Sequence, residues 1–180
     1  AIAFLLVGEH SKNLESKKTL GTSLVRVLRI FDSLNLNFDS ILDLWLKLGI
    51  RNVASFVPFA AEILGRNTTS KITCKNLCMC LTQVLPSLHV VEDPHSLATT
   101  LLRIASPTSV ETLCVLVGKC PQIVSNVTSA NIDRLVQLAT PAAVELLLVF
   151  ATTELLPTIQ AAIDWALWEK LVLEDEGQPA

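Results

Sequence analysis

Two stretches in the second half of this 180-residue chain carry nearly the same message, and they restrict its fold more than any other feature. Residues 101–115 read LLRIASPTSVETLCV and residues 135–149 read LVQLATPAAVELLLV. Displaced by 34 positions, Leu101 falls on Leu135, Ala105 on Ala139, Ser106 on Thr140 and Pro107 on Pro141. Val110, Glu111, Leu113 and Val115 fall on Val144, Glu145, Leu147 and Val149. A helix–break–helix pattern written twice at this interval points to stacked helical hairpins.

Each half of the pattern has a physical reason. Residues 97–105 and 132–139 space their apolar side chains three and four apart, as a short amphipathic helix does. Ser106 and Thr140 then precede a proline. Their hydroxyls can accept from the orphan amides of the following helix, and proline at the first helical position forfeits no helical bond. Proline also biases the preceding residue away from helical angles, so the first helix stops there. Residues 110–117 and 144–151 are apolar on nearly every side apart from Glu111 and Glu145, which predicts helices buried between neighbours. Such a unit calls for a copy before it and another after it.

The segments SLATTLLRIASPTSVETLCVLVGKCPQIV and IDRLVQLATPAAVELLLVFATTELLPTI resemble armadillo and HEAT-type repeats. Both run through a short helix, a Ser/Thr-Pro break, a long buried helix and a proline-opened successor. The 34-residue interval is shorter than those families usually show, and the glycine pair common before the second armadillo helix is missing, so the subfamily stays open. Tetratricopeptide repeats share the interval but not the signature, and this chain has no tyrosine. The resemblance implies an all-α fold, an α-solenoid of stacked hairpins with about eight to ten helices. It would form a single domain over residues 1–174, with its clearest repeats at 97–120 and 132–156 and a polar tail at 175–180.

Composition agrees with helix stacking. Hydrophobic residues make up 51% of the chain and charged residues 17%, with few aromatics, so the apolar content is mostly aliphatic. Pro141, Glu145, Glu154, Pro157 and Asp164 interrupt the most apolar region, and no stretch reaches the ~20 apolar residues of a membrane span. Residues 1–8 read as a truncated helix rather than a signal peptide, and the absence of an initial methionine suggests a piece of something longer. Five cysteines in no regular framework suit a reducing compartment, the cytoplasm or nucleus. In such a compartment the acceptor patterns at Asn67 and Asn126 are silent. Charge is uneven: ten Lys/Arg against six Asp/Glu in residues 1–75, four against eleven in residues 76–180.

Along the chain, the periodicity predicts helices over residues 20–34, 41–48, 53–64 and 71–84. Asp39 or Ser40 is the expected cap of the second, Gly49 and Gly65 are the expected stops, and Pro58 either sits in a first turn or kinks its helix. Asp93-Pro94 reads as a helix opening. Pro121 and Pro157 begin further helices, the last over residues 157–173. Leu77 and Cys78 align weakly with Leu113 and Cys114, 36 positions on, which hints at a degenerate earlier unit.

Side chains that carry chemistry do not assemble into a catalytic motif. Cys74 and Cys78 share a helical face, with Cys80, His89 and His95 nearby, but the spacing misses the usual zinc patterns, and buried free cysteines fill space as small hydrophobes. Glu111 and Glu145 read as favourable charges in the first turns of their helices. His10 lies near no recognisable nucleophile, and no glycine-rich phosphate loop is present. The expectation is a non-enzymatic protein without metal or cofactor.

Two surfaces remain. Lys12, Lys17, Lys18, Arg26 and Arg29 form a basic cluster that could neutralise phosphates, although Glu9, Glu15 and Asp32 dilute it. In the last helix, Ile159, Ala162, Ile163, Ala166 and Leu167 should face the preceding unit. Trp165, Trp168 and Val172 occupy a second side, where a terminal repeat helix is normally polar. The function expected is an intracellular protein–protein interaction module, part of a scaffold, binding partner helices or peptides or associating with itself through this helix. The alternative is a nucleic-acid-associated repeat protein using the basic cluster.

Overall fold

The computed structural model describes residues 14–151 and 155–175, with side chains over 16–124, 127–151 and 155–166. Lys12, His10 and the tail from residue 176 lie outside the described residues. Within them the chain is all-α, with nine α-helices, two 3₁₀ turns and no strand. The helices are α1 (Leu14–Ser33), α2 (Asp39–Leu48), α3 (Phe56–Gly65), α4 (Lys71–Val84), α5 (Pro94–Ile104), α6 (Pro107–Lys119), α7 (Ser129–Leu138), α8 (Pro141–Phe150) and α9 (Leu156–Asp175). The 3₁₀ turns Leu85–Ser87 and Pro121–Asn126 follow α4 and α6. No helix among the described residues is long and apolar enough to cross a membrane. Contacts divide the chain into two compact units, Ala1–Thr100 and Leu101–Ala180, and the division falls inside α5.

In the first unit, α3 and α4 pack as a hairpin, α2 lies on α4 and α1 contacts both α2 and α3. The core is anchored by aromatics that the repeat pattern does not mark. Trp45 stacks on Phe56 with ring centroids 4.5 Å apart, and Phe59 meets Phe56 and Phe38 at 6.2 and 6.0 Å. All four rings are buried. Each contributes about 1.5–3 kcal/mol through burial. Gly21 lets α1 come close to this core. A Cβ built there would lie 2.5 Å from Val53 Cγ2 and 2.6 Å from Ile50 Cγ2.

The stops and starts follow local chemistry. Gly49 ends α2 in the left-handed region at φ 59°. Pro58 is the third residue of α3, so it belongs to the first turn and removes no helical bond. The entry to α2 corrects the expected capping: Asn37 Oδ1 accepts from the Asp39 amide at 2.8 Å, while Asp39 Oδ2 accepts from the Thr73 hydroxyl of α4 at 3.3 Å. Ser70 opens α4 by accepting from the Thr73 amide at 3.0 Å. Asp93 opens α5 by accepting from the Ser96 amide at 3.2 Å.

In the second unit, α7 and α8 form a hairpin, α8 lies on α6 and α9 lies on α7. The 34-residue repetition survives at atomic detail. Ala105 and Ala139 end α5 and α7 with left-handed φ values of 46° and 47°. Ser106 and Thr140 follow in extended conformation and accept from the amides of Ser109 and Ala143, each at 3.2 Å. Leu101 and Leu135, Leu113 and Leu147, and Leu116 and Phe150 are buried in both copies. Among the buried polar groups, Thr112 donates to Thr108 O at 2.8 Å and Ser109 to Ser106 O at 2.9 Å, so neither hydroxyl is stranded.

One expectation reverses. Residues 110–117 are mostly buried, but their copy on α8 is not: Val144, Leu148 and Val149 are 50%, 72% and 48% exposed. The difference lies in the neighbours, because α8 covers α6 while α9 lies on α7. Glu111 and Glu145 also sit differently from the expectation. Each is the fifth residue of its helix, beyond the first turn where the macrodipole acts, and both are exposed.

Candidate functional site

Helix α9 lies on α7, and a groove opens where the two meet. Asp133, Val136 and Gln137 supply the α7 wall. Thr158, Ala161, Ala162, Trp165 and Ala166 supply the α9 wall around a space of about 340 Å³. The α9 positions recur at three and four residues, one face of a helix. Three alanines on that face leave room that larger side chains would fill, and Asp133 adds a carboxylate to the same lining.

Trp165 is 64% exposed. It shares the groove with Ala162 and Ala166, rather than occupying the separate side of the helix that the sequence suggests. Ile159 is buried as expected, whereas Ile163, also expected to face the preceding unit, is 37% exposed. Trp168 and Val172 belong to α9, but their side chains lie outside the described residues.

The basic residues do not form one free patch. Lys17 Nζ donates to Leu48 O at 3.0 Å, placing its charge at the negative end of α2. Arg29 lies over the Phe59 ring, 5.9 Å from its centroid, a cation–π arrangement. Lys18 and Arg26 are exposed on one side of α1 and line a shallow depression of about 250 Å³ with Thr19, Thr22 and Ser23. Lys12 lies outside the described residues.

Burial disfavours the charged form of three of the thiols. Burial, then the charges of Glu145 and Glu111, push Cys114 up to about 11. Cys114 Sγ donates to Ala142 O at 3.3 Å. Burial also raises Cys80, with help from Asp43 and Cys78, and raises Cys120 against the pull of Lys119. A reactive cysteine needs the opposite shift. Cys80 Sγ donates to Leu42 O at 3.8 Å. Among the described residues no three His, Cys, Asp or Glu side chains converge as metal ligands would. His89 lies exposed beside another depression, of about 280 Å³, lined by Asn52, Ala54, Val57, Leu88, Val90 and Glu92.

What the sequence reading missed is the open side of α8. Compared with known families, curated proteins and solved structures, the chain matches no family model, no curated protein and no solved structure.

Proposed function

We propose that this chain is a non-enzymatic helical-repeat module of the armadillo/HEAT-like solenoid type, working inside the cell as a scaffold segment. It binds helices or peptide segments of other proteins. Support for the repeat reading comes from the alternation within each unit: α4 lies on α2 and also against α3, and α8 lies on α6 and also against α7. Support for the binding reading rests on one observation. Trp165 is 64% exposed on the wall of an open, largely apolar groove. Tryptophan gives large contact area for little lost side-chain freedom and dominates many interfaces.

The occupant buries apolar surface against Trp165 and the alanines and places a basic or amide group near Asp133. Recognition of nucleic acid through the α1 cluster has less support, because Lys17 and Arg29 are engaged within their own unit. The test is capture from cell extract by the wild-type chain and by the Trp165→Asp variant. A partner held by the first and lost by the second, with helical content and melting unchanged, supports the module. Equal capture by both variants, or unfolding of the variant, contradicts the assignment of Trp165.

A further inference from the structure

Two loops of the first unit, rather than a helix face, form a recess that shares no residue with the α7–α9 groove. Residues 49–55 join α2 to α3, and residues 88–93 join the first 3₁₀ turn to α5. A hydrogen-bond relay fastens one loop to the other: Asn52 N donates to Ser87 Oγ at 2.7 Å, and Ser87 Oγ donates to Val84 O at 2.7 Å. Asn52 stands in the left-handed region at φ 57°, which asparagine tolerates better than most residues. The depression of about 280 Å³ between the loops therefore has walls fixed before anything enters it. Buried Val57 and Leu88 and exposed Ala54 and Val90 give it an apolar lining. Asn52, His89 and Glu92 add polar groups, and among the described residues none of these three side chains has a hydrogen-bond or ion-pair partner. The amides and carbonyls of His89 and Val90 make no backbone hydrogen bond there either.

We propose that this depression takes one arginine side chain from a peptide segment of another protein, whose main chain lies along His89 and Val90. Size limits the occupant. The space is smaller than pockets that hold cofactors, yet it accommodates a single long side chain. The apolar lining suits the methylene stem of that side chain and would leave a bare anion poorly solvated. Charge fixes the tip. Glu92 brings one carboxylate and exposed Asp93 stands beside it in sequence, while among the described residues no lysine or arginine lines the space. A cation is attracted there and an anion refused. Asn52 Oδ1 and the unprotonated nitrogen of a neutral His89 imidazole add two further acceptors in the same lining. A guanidinium offers five N–H donors in one plane, whereas an ammonium is a compact and strongly hydrated point charge, so arginine is favoured over lysine. The open main-chain groups of His89 and Val90 can pair with amides and carbonyls of the partner.

The test is a nuclear magnetic resonance titration of the full chain with a blocked alanine–arginine–alanine tripeptide, followed through backbone amide shifts. Saturable shifts at Ala54, His89 and Val90 are expected, with a dissociation constant on the order of 1 mM for so small a ligand. A tripeptide carrying citrulline, which keeps the shape and loses the charge, should bind about ten-fold more weakly. The lysine tripeptide should fall between the two. Glu92→Gln should weaken the arginine tripeptide about ten-fold at low salt and less at high salt. Ala54→Phe should abolish binding by filling the space. Glu92 and Ala54 are exposed, so both variants should melt as the wild type does, and the pair guards against one of them misfolding. The proposal is overturned by absence of saturable shifts, by citrulline binding as tightly as arginine, or by binding indifferent to Glu92→Gln and Ala54→Phe. Shifts confined to the surroundings of Asp133 and Trp165 would overturn it too, assigning the tripeptide to the α7–α9 groove.

Discussion

Arg66 reaches back 34 residues to Asp32, its Nη1 at 2.6 Å from Oδ1 and its Nη2 at 3.0 Å from Oδ2. The same Nη2 donates to Glu62 at 2.7 Å. Thr73 reaches Asp39 across the same interval. The first contact ties the end of α3 to α1, and the second ties α4 to α2. Both carboxylates hold the Arg66 guanidinium in its charged form.

A double-mutant cycle on Asp32→Ala and Arg66→Ala should return a coupling of about 0.5–1 kcal/mol, the range for a forked pair at a surface. The Arg66 side chain is 39% exposed and that of Asp32 21%, so the coupling should shrink with added salt. Urea midpoints at low and high ionic strength measure it.

Gly21→Ala should destabilise the chain by about 1–3 kcal/mol, as overpacking does. The new methyl meets Val53 and Ile50 through their Cγ2 atoms, and β-branched side chains have little rotamer freedom with which to yield. A drop in thermal midpoint, with far-ultraviolet circular dichroism at low temperature unchanged, is the expected result.

How far the fold could be read in advance varies with the interaction responsible. Breaks were legible wherever backbone chemistry sets them: Ser106-Pro107, Thr140-Pro141, Asp93-Pro94 and Gly49 act through their immediate neighbours in sequence. The α4 span of residues 71–84 was legible for the same reason. The cap of α2 was not, because Asp39, the obvious candidate, is drawn to Thr73 on another helix. Gly21 carries no local signal, since its reason is the close approach of Val53 and Ile50. The candidate site was legible in part. A tryptophan in an alanine-rich helix marks Trp165, but the groove it shares with Asp133 depends on how α9 lies on α7. The exposure of α8 was hidden because α6 and α8 read alike and differ only in what covers them.

Ala139→Gly should stabilise the chain by up to about 1 kcal/mol. Ala139 is exposed and sits at φ 47°, where an L side chain is strained by about 1–2 kcal/mol. The greater freedom of glycine in the unfolded chain offsets part of that relief. A urea melt reads the difference, and the equivalent change at Ala105 should act in the same direction.

Alkaline pH should weaken the fold. The folded chain keeps the Cys114 proton up to about 11, whereas an ordinary thiol releases it near 9.0. Between those values the unfolded chain binds fewer protons than the folded one, so stability falls as pH rises and is fully present below about 9. Unfolding midpoints from pH 8 to 11 should fall for the wild type and less steeply for Cys114→Ser. Cys80 and Cys120, shifted in the same direction, should keep the variant from becoming flat.

The claim on which the rest depends is that helices one repeat apart lie on each other. Nuclear Overhauser effects between Cys114 and Ala142, and between Thr73 and Asp39, test it in each unit, since Cys114 Sγ lies 3.3 Å from Ala142 O and Thr73 Oγ1 3.3 Å from Asp39 Oδ2. Both cross-peaks should appear in the folded chain. Their absence in spectra that still show intact helices would contradict the layered arrangement and the interaction surfaces derived from it.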